Sequence, residues 1–239
     1  MNTLVARMYG VLRRPRTTLA AVAQAPSWAP VLVVTTTITF LCAIGFLATR
    51  VGQQALVDQW ERTAVAFGQP VDDAGYARME DRAANGGFAL LYAAATTLAS
   101  GPLLVIVTAA LLFFVLNRRG ANLSGPPPSF TQVLAVVAYA GVILAFRQVI
   151  ATPVDYVRES IGSPATLIQF VSMFDEASPV ARFLAVIDLF VVWWIVVLAI
   201  GASVLYRRST RSLALAFTGA YVVLALLAAL VMAVSGGTA

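Results

Sequence analysis

Two charged side chains interrupt long apolar runs in this chain of 239 residues. Arg147 lies in "GVILAFRQVIATP" and Asp188 in "RFLAVIDLFVVWWIVVLAIGASVLY". An ion in the hydrocarbon of a bilayer is costly unless it is paired or hydrated. A guanidinium and a carboxylate at matched depth on neighbouring helices can pair and fix how those helices pack. The same two groups could instead line a path for an ion, a lipid or a small solute. Arg147 could also snorkel outward, and Asp188 could face a water-filled cavity.

Other chemistries are set aside by residue type. The chain has no histidine, which removes the commonest general base and a common metal ligand. There are no paired intramembrane aspartates, no His-Glu zinc motif and no Gly-x-Ser-x-Gly. Nucleotide-binding loops and nucleic-acid motifs are missing too, so no enzyme activity, cofactor, metal or nucleic acid is expected. The lone Cys42 cannot close an internal disulfide and is expected to be a small buried hydrophobe. Asp72, Asp73, Glu80 and Asp81 lack the ligand spacing of a calcium loop and are expected to be solvated surface.

The elements that must carry these residues are membrane helices. Hydrophobic residues make up 60% of the chain and charged residues 11%, too apolar a balance for a water-soluble domain. A span needs about 20 apolar residues. Five segments qualify, over residues 29–49, 87–117, 132–151, 180–206 and 213–234. The expected fold is an all-α polytopic bundle of five transmembrane helices over 29–239, preceded by a leader over 1–28. The first span is too long, and its leader too extended, for a cleaved signal peptide.

Arginine sets the expected orientation. Arg7, Arg13, Arg14 and Arg16 lie in the leader, Arg118 and Arg119 after the second span, and Arg207, Arg208 and Arg211 after the fourth. No acid accompanies them, and every acid except Asp188 falls in the two remaining connections. The N-terminus is therefore expected in the cytoplasm and the C-terminus outside. The third and fourth spans then run in opposite directions. Arg147 and Asp188 would each lie about 7–8 Å below the outer boundary, at a rise of about 1.5 Å per residue.

The leader repeats Leu4, Val5, Met8, Val11 and Leu12 at helical spacing and suits an interfacial helix whose arginines meet anionic headgroups. Pro15 should break it, with a second short helix in "TTLAAVAQAP". In the second span, Gly101 and Pro102 predict a kink, and Thr97 or Ser100 could satisfy a freed carbonyl. A helix through Val51, Leu56, Trp60, Ala64 and Phe67 is expected in the first outer connection. In the second, Ser163–Pro164 should start a short helix to Phe174, and Ser178–Pro179 the fourth span. Gly141 with Ala145, Ala199 with Ser203 and Ala216 with Ala220 have helix-packing spacing. In so alanine-rich a chain these spacings arise by chance and leave the oligomeric state unknown.

Three stretches resemble a known family. "LRRPRTTLAAVAQAP" is similar to the Arg-x-Pro leader, with its later proline, of the Yip domain proteins, the Ypt-interacting protein family. "SFTQVLAVVAYAGVILAF" resembles their third-helix entrance, where an aromatic and a glutamine precede the apolar run. "VIDLFVVWWIVVLAIGASVLYRRSTRSLA" resembles their fourth helix. On that match Asp188, Phe190, Trp194 and Gly201 take the fourth-helix positions, and Pro15 and Pro26 the leader positions. "GANLSGPPPSF" departs from the glycine pair usual before the third span.

The resemblance implies five spans and a cytoplasmic N-terminus. Eukaryotic relatives bind prenylated Rab-type GTPases, whereas bacterial members look like companions of other membrane machinery, exporters included. An arginine-rich, lysine-free composition suggests a GC-rich bacterial genome, hence the bacterial inner membrane. The expected role is a non-enzymatic adaptor or organiser that contacts membrane lipids and another membrane protein or exporter subunit. The alternative is a transport component working through Arg147 and Asp188.

Overall fold

The structure is a computed structural model and describes residues 3–118, 127–162, 165–167, 184 and 187–236. Ser163–Pro164, the helix expected to Phe174, Asp175, Glu176, Ser178–Pro179 and Arg119 lie outside the described residues. The described elements are helices: α1 (Leu4–Arg13), α2 (Pro15–Gln24), α3 (Ala29–Leu47), α4 (Arg50–Ala66), α5 (Asp73–Ala84) and α6 (Gly86–Ala94). A π-helical turn (Ala95–Ala99) leads to α7 (Ser100–Arg118), α8 (Phe130–Ala140), α9 (Val142–Arg158), α10 (Leu189–Tyr206) and α11 (Thr210–Gly236).

Five helical segments are long and apolar enough to cross a membrane: Ala29–Leu47, Gly86–Arg118, Phe130–Arg158, Leu189–Tyr206 and Thr210–Val231. Their composition explains why they fold as helices there. Without water to bond the backbone, a spanning segment must satisfy its own N–H and C=O groups. Hydroxyls follow the same rule: Thr35 Oγ1 donates to Val31 O at 2.9 Å and Thr39 Oγ1 to Thr35 O at 2.9 Å. Leu103, Leu104, Val107, Leu111 and Phe114 on α7 and Leu215, Leu224, Leu227 and Leu230 on α11 are exposed. Exposed apolar faces of that extent belong in hydrocarbon. Cys42 is half-exposed on α3 rather than buried.

The chain forms two compact units. The first comprises Met1–Thr39, Leu98–Arg147 and Phe190–Gly219, and the second Phe40–Thr97, Gln148–Leu189 and Ala220–Ala239.

At the centre of the first unit is α8. Every residue from Val133 to Ala140 is buried, and a helix apolar all round is one that packs on every side. Val11 of α1, Leu19 and Val22 of α2, Ala109 and Leu116 of α7, and Val197, Leu198, Ala202 and Tyr206 of α10 share its core. The leader is therefore packed into the bundle. Pro15 takes the first position of α2, where its missing N–H costs nothing. Pro26 follows the C-cap Ala25, which has left the helical region as the residue before a proline tends to. Arg7 Nη1 ties the turn beyond α2 back to α1 through Ala25 O at 3.3 Å and Ser27 Oγ at 3.4 Å.

The second unit is built on caps. Thr49 Oγ1 accepts from Gly52 N at 3.0 Å and starts α4, whose first turn lies so close to Phe46 O that only glycine fits at position 52. Asp72 caps α5 through Gly75 N at 2.7 Å, and Asn85 caps α6 through Gly87 N at 3.0 Å. Phe46, Leu47, Ala55, Leu56, Ala89 and Ala93 form its core. Trp60 meets Phe88 and Tyr92 edge-on, with centroids 5.8 and 5.6 Å away. Gln54 Nε2 donates to Tyr76 Oη at 2.7 Å and joins α4 to α5.

At Gly201, α10 approaches α8 and α2 closely. A Cβ there would overlap Val136 Cγ1 and lie 3.3 Å from Leu19 Cδ1. Val136 is β-branched and buried, so it cannot swing aside. Gly201→Ala is expected to destabilise the detergent-solubilised protein by about 1–3 kcal/mol, the usual cost of overpacking. Val136→Ala in the same chain should recover part of that loss. Thermal unfolding of the double-mutant cycle measures both, and additive losses would contradict the contact.

Candidate functional site

The resemblance singled out Asp188, Phe190, Trp194 and Gly201, and the structure gives each a different setting. Phe190 joins an aromatic cluster with Phe146 of α9 and Trp193, its ring 6.3 Å from each. Phe146 and Trp193 meet edge-on at 6.2 Å. Trp194 itself stays outside that cluster, and its Nε1 is buried with no hydrogen-bond partner among the described residues. Gly201 provides the close approach to α8 and α2.

Asp188 differs from expectation. Sequence placed it several residues inside the fourth helix, but among the described residues α10 begins at Leu189, and Ile187 and Asp188 precede it. Asp188 forms an isolated antiparallel bridge with Thr166. Leu167 N donates to Ile187 O at 2.9 Å, and Leu189 N to Ala165 O at 3.0 Å. These bonds satisfy backbone groups that a continuing helix would otherwise have paired. Phe183, from which the depth of Asp188 is counted, lies outside the described residues. Asp188 N donates to Tyr221 Oη at 3.1 Å, and the residue is only 5% exposed. Arg147 is half-buried in α9 and belongs to the first unit, whereas Asp188 belongs to the second.

A second buried acid escaped the sequence reading. Asp155 is 7% exposed in α9. The third span is expected over 132–151, yet α9 runs through Pro153 to Arg158. Proline removes one hydrogen bond, and Thr152 Oγ1 bonds back to Gln148 O at 2.9 Å within that turn. The usable signal was the four-residue step from buried Ala151 to Asp155, which puts both on one helix face.

Gly101 and Pro102 lie in the first turn of α7, directly after the π-helical turn Ala95–Ala99. Thr96 Oγ1 donates to Tyr92 O at 2.7 Å and Thr97 Oγ1 to Ala93 O. Thr97 thus serves a carbonyl at the widened turn, one turn before the Leu98 carbonyl that Pro102 deprives of its donor.

The third-helix entrance shows what the aromatic and the glutamine do. Ser129 and Gln132 form a capping box: Ser129 N donates to Gln132 Oε1 at 2.8 Å, and Gln132 N to Ser129 Oγ at 3.3 Å. The free end of the same amide, Gln132 Nε2, donates to Ala23 O of the leader at 2.9 Å. Phe130 meets Phe113 of α7 edge-on at 5.7 Å. One short motif thus starts α8, docks it on α7 and holds α2.

In the leader, Arg13 Nη1 donates to Tyr9 Oη at 2.8 Å and its guanidinium lies 5.5 Å from that ring's centroid. Arg14 is the N-cap of α2 and provides no side-chain cap bond. Arg16 is exposed on the first turn of α2. Among the described residues no cluster of three or more acidic, histidine or cysteine side chains is arranged to hold a metal ion.

A family model for the Yip1 domain matches residues 9–233. The chain belongs to the Yip1 family. The match covers the leader from Tyr9, all five spans and both long connections, so the Yip1 domain is essentially the whole described structure. No curated protein and no solved structure gives a match. Yip1 membership and five apolar helices make this a multi-pass integral membrane protein.

If the Gln132 amide joins leader and bundle, Gln132→Ala should cost about 1–2 kcal/mol, the sum of a lost cap and a lost partly buried bond. Limited proteolysis at Arg13 and Arg16 should speed up in that variant. Unchanged cleavage would show that apolar packing alone holds the leader.

Proposed function

We propose that this Yip1-family chain is a non-enzymatic adaptor or organiser in the bacterial inner membrane, with its N-terminus in the cytoplasm. One observation carries the reading: the separation of charge between the two units. The first contains ten arginines and no aspartate or glutamate, and the second contains all eleven acids of the chain with the other six arginines. Nine of those ten arginines lie in the leader and in the connections after the second and fourth spans, where the positive-inside rule expects them on a cytoplasmic side. It also supplies a surface for anionic headgroups and for an acidic patch on another membrane protein. Arg13, Arg14 and Arg16 are exposed on a leader that the bundle holds in place, so they form a fixed docking surface.

The test is co-purification in mild detergent from native membranes. The triple variant Arg13→Gln, Arg14→Gln, Arg16→Gln is expected to insert normally and to lose most of its co-purifying partner. Undiminished recovery would sink the docking role.

A second reading has its own support. Extended backbone beside a buried carboxylate, as at Ile187–Asp188, is tolerated in membranes where protein buries it or where it lines a polar path. A π-helical turn before Gly101–Pro102 is a further irregularity of the sort found at functional sites. On this reading Arg147 and Asp188 are the residues through which a lipid or small solute is handled. The exchange Arg147→Asp with Asp188→Arg separates the readings. A purely structural pair predicts recovered expression and partner binding, whereas a pathway predicts a folded protein without transport activity.

A further inference from the structure

We infer that the first unit holds a discrete phosphate-binding site, lined by Arg16 and Thr17 of α2 and by Ser203, Arg207 and Arg208 at the end of α10. The side chains border one open cavity of about 600 Å³. Three of the lining residues are arginines and none carries a carboxylate. Guanidinium forks match the geometry of phosphate oxygens and bind them bidentately. The site is therefore distinct from the leader surface around Arg13 and Arg14, which do not line it.

Backbone features point the same way. α2 begins at Pro15, and its N-cap Arg14 gives no side-chain bond to the first turn. The N–H groups of Arg16 and Thr17 therefore lie at the positive end of an uncapped helix, beside the cavity their side chains line. The hydroxyl of Thr210 donates to Ser203 Oγ at 2.8 Å, which fixes the wall contributed by α10.

Arg207 is the first residue after α10, and its φ of +52° is the left-handed conformation that ends a helix, one that favours glycine or asparagine. Arg207 borders the large cavity and also a second one of about 380 Å³ that reaches Gln132 and Gln24. Arg207 is thus the arginine common to both.

The ligand class is a phosphate oxyanion, from an anionic phospholipid headgroup or from a soluble phosphate. The inference stands whether the chain serves as an adaptor or as a transport component.

The test uses the full chain in nanodiscs and reads thermal unfolding. One probe is a disc of equal parts phosphatidylcholine and phosphatidylglycerol. The other is a pure phosphatidylcholine disc with added inorganic phosphate. A rise in Tm in the mixed disc alone identifies a headgroup site, and a rise with inorganic phosphate identifies a site for soluble phosphate. The variant Arg16→Gln, Arg207→Gln, Arg208→Gln should lose the rise, with apparent affinity weaker by about tenfold or more. Arg211→Gln, outside the cavity, should keep it.

Arg207→Gly guards against misfolding. Glycine is favoured at that φ, so in pure phosphatidylcholine its Tm should equal or exceed that of the wild type, while its response to the anion falls. No rise with either probe, or a full rise in the triple variant, would overturn the site.

Discussion

The close approach of α10 to α8 and α2 at Gly201 is the constraint on which the first unit depends. A residue with no side chain lets Val136 and Leu19 reach the α10 backbone. Three helices far apart in sequence thereby share one core, with α8 enclosed on every side. In a bilayer such contacts cannot draw on the hydrophobic effect between helices, because lipid tails are as apolar as leucine. Close packing by small residues and a few well-placed hydrogen bonds must do it. Gly201 gives the first and the Gln132–Ala23 bond the second.

That packing decides what the arginines can do. A leader that lay loosely on a membrane would present Arg13, Arg14 and Arg16 as a mobile cationic tail. A leader packed through Val11, Leu19 and Val22 holds them at fixed positions instead. Arg16 then lines the same cavity as Arg207 and Arg208 because α2 and α10 are held in one core. Fixed geometry is what separates a binding site from a general attraction to anionic membranes.

Much of the fold was legible because bilayers impose simple rules. Span length located the five helices, and Pro15 and Pro26 bracketed α2. The site was less legible. Asp188 was read as a helix-interior carboxylate because hydropathy cannot distinguish an apolar helix from apolar extended chain, and the pairing with Thr166 joins residues distant in sequence. Asp155 was missed because the apolar run stops at Ala151, although α9 continues to Arg158. The shared role of Gln132 was likewise hidden, since its partner at Ala23 lies outside any local pattern. Arg207 looked like one more positive-inside charge, and only its backbone conformation sets it apart.

The integration of the leader is tested most directly by amide hydrogen exchange of the wild-type chain in nanodiscs, comparing Leu19–Ala23 of α2 with Val133–Ala140 of α8. If α2 is part of the core, its amides should exchange nearly as slowly as those of α8, because both open only when the unit opens. Exchange of α2 at the rate of an exposed helix, with α8 still protected, would contradict the packing at Gly201 and the fixed arginine geometry built on it.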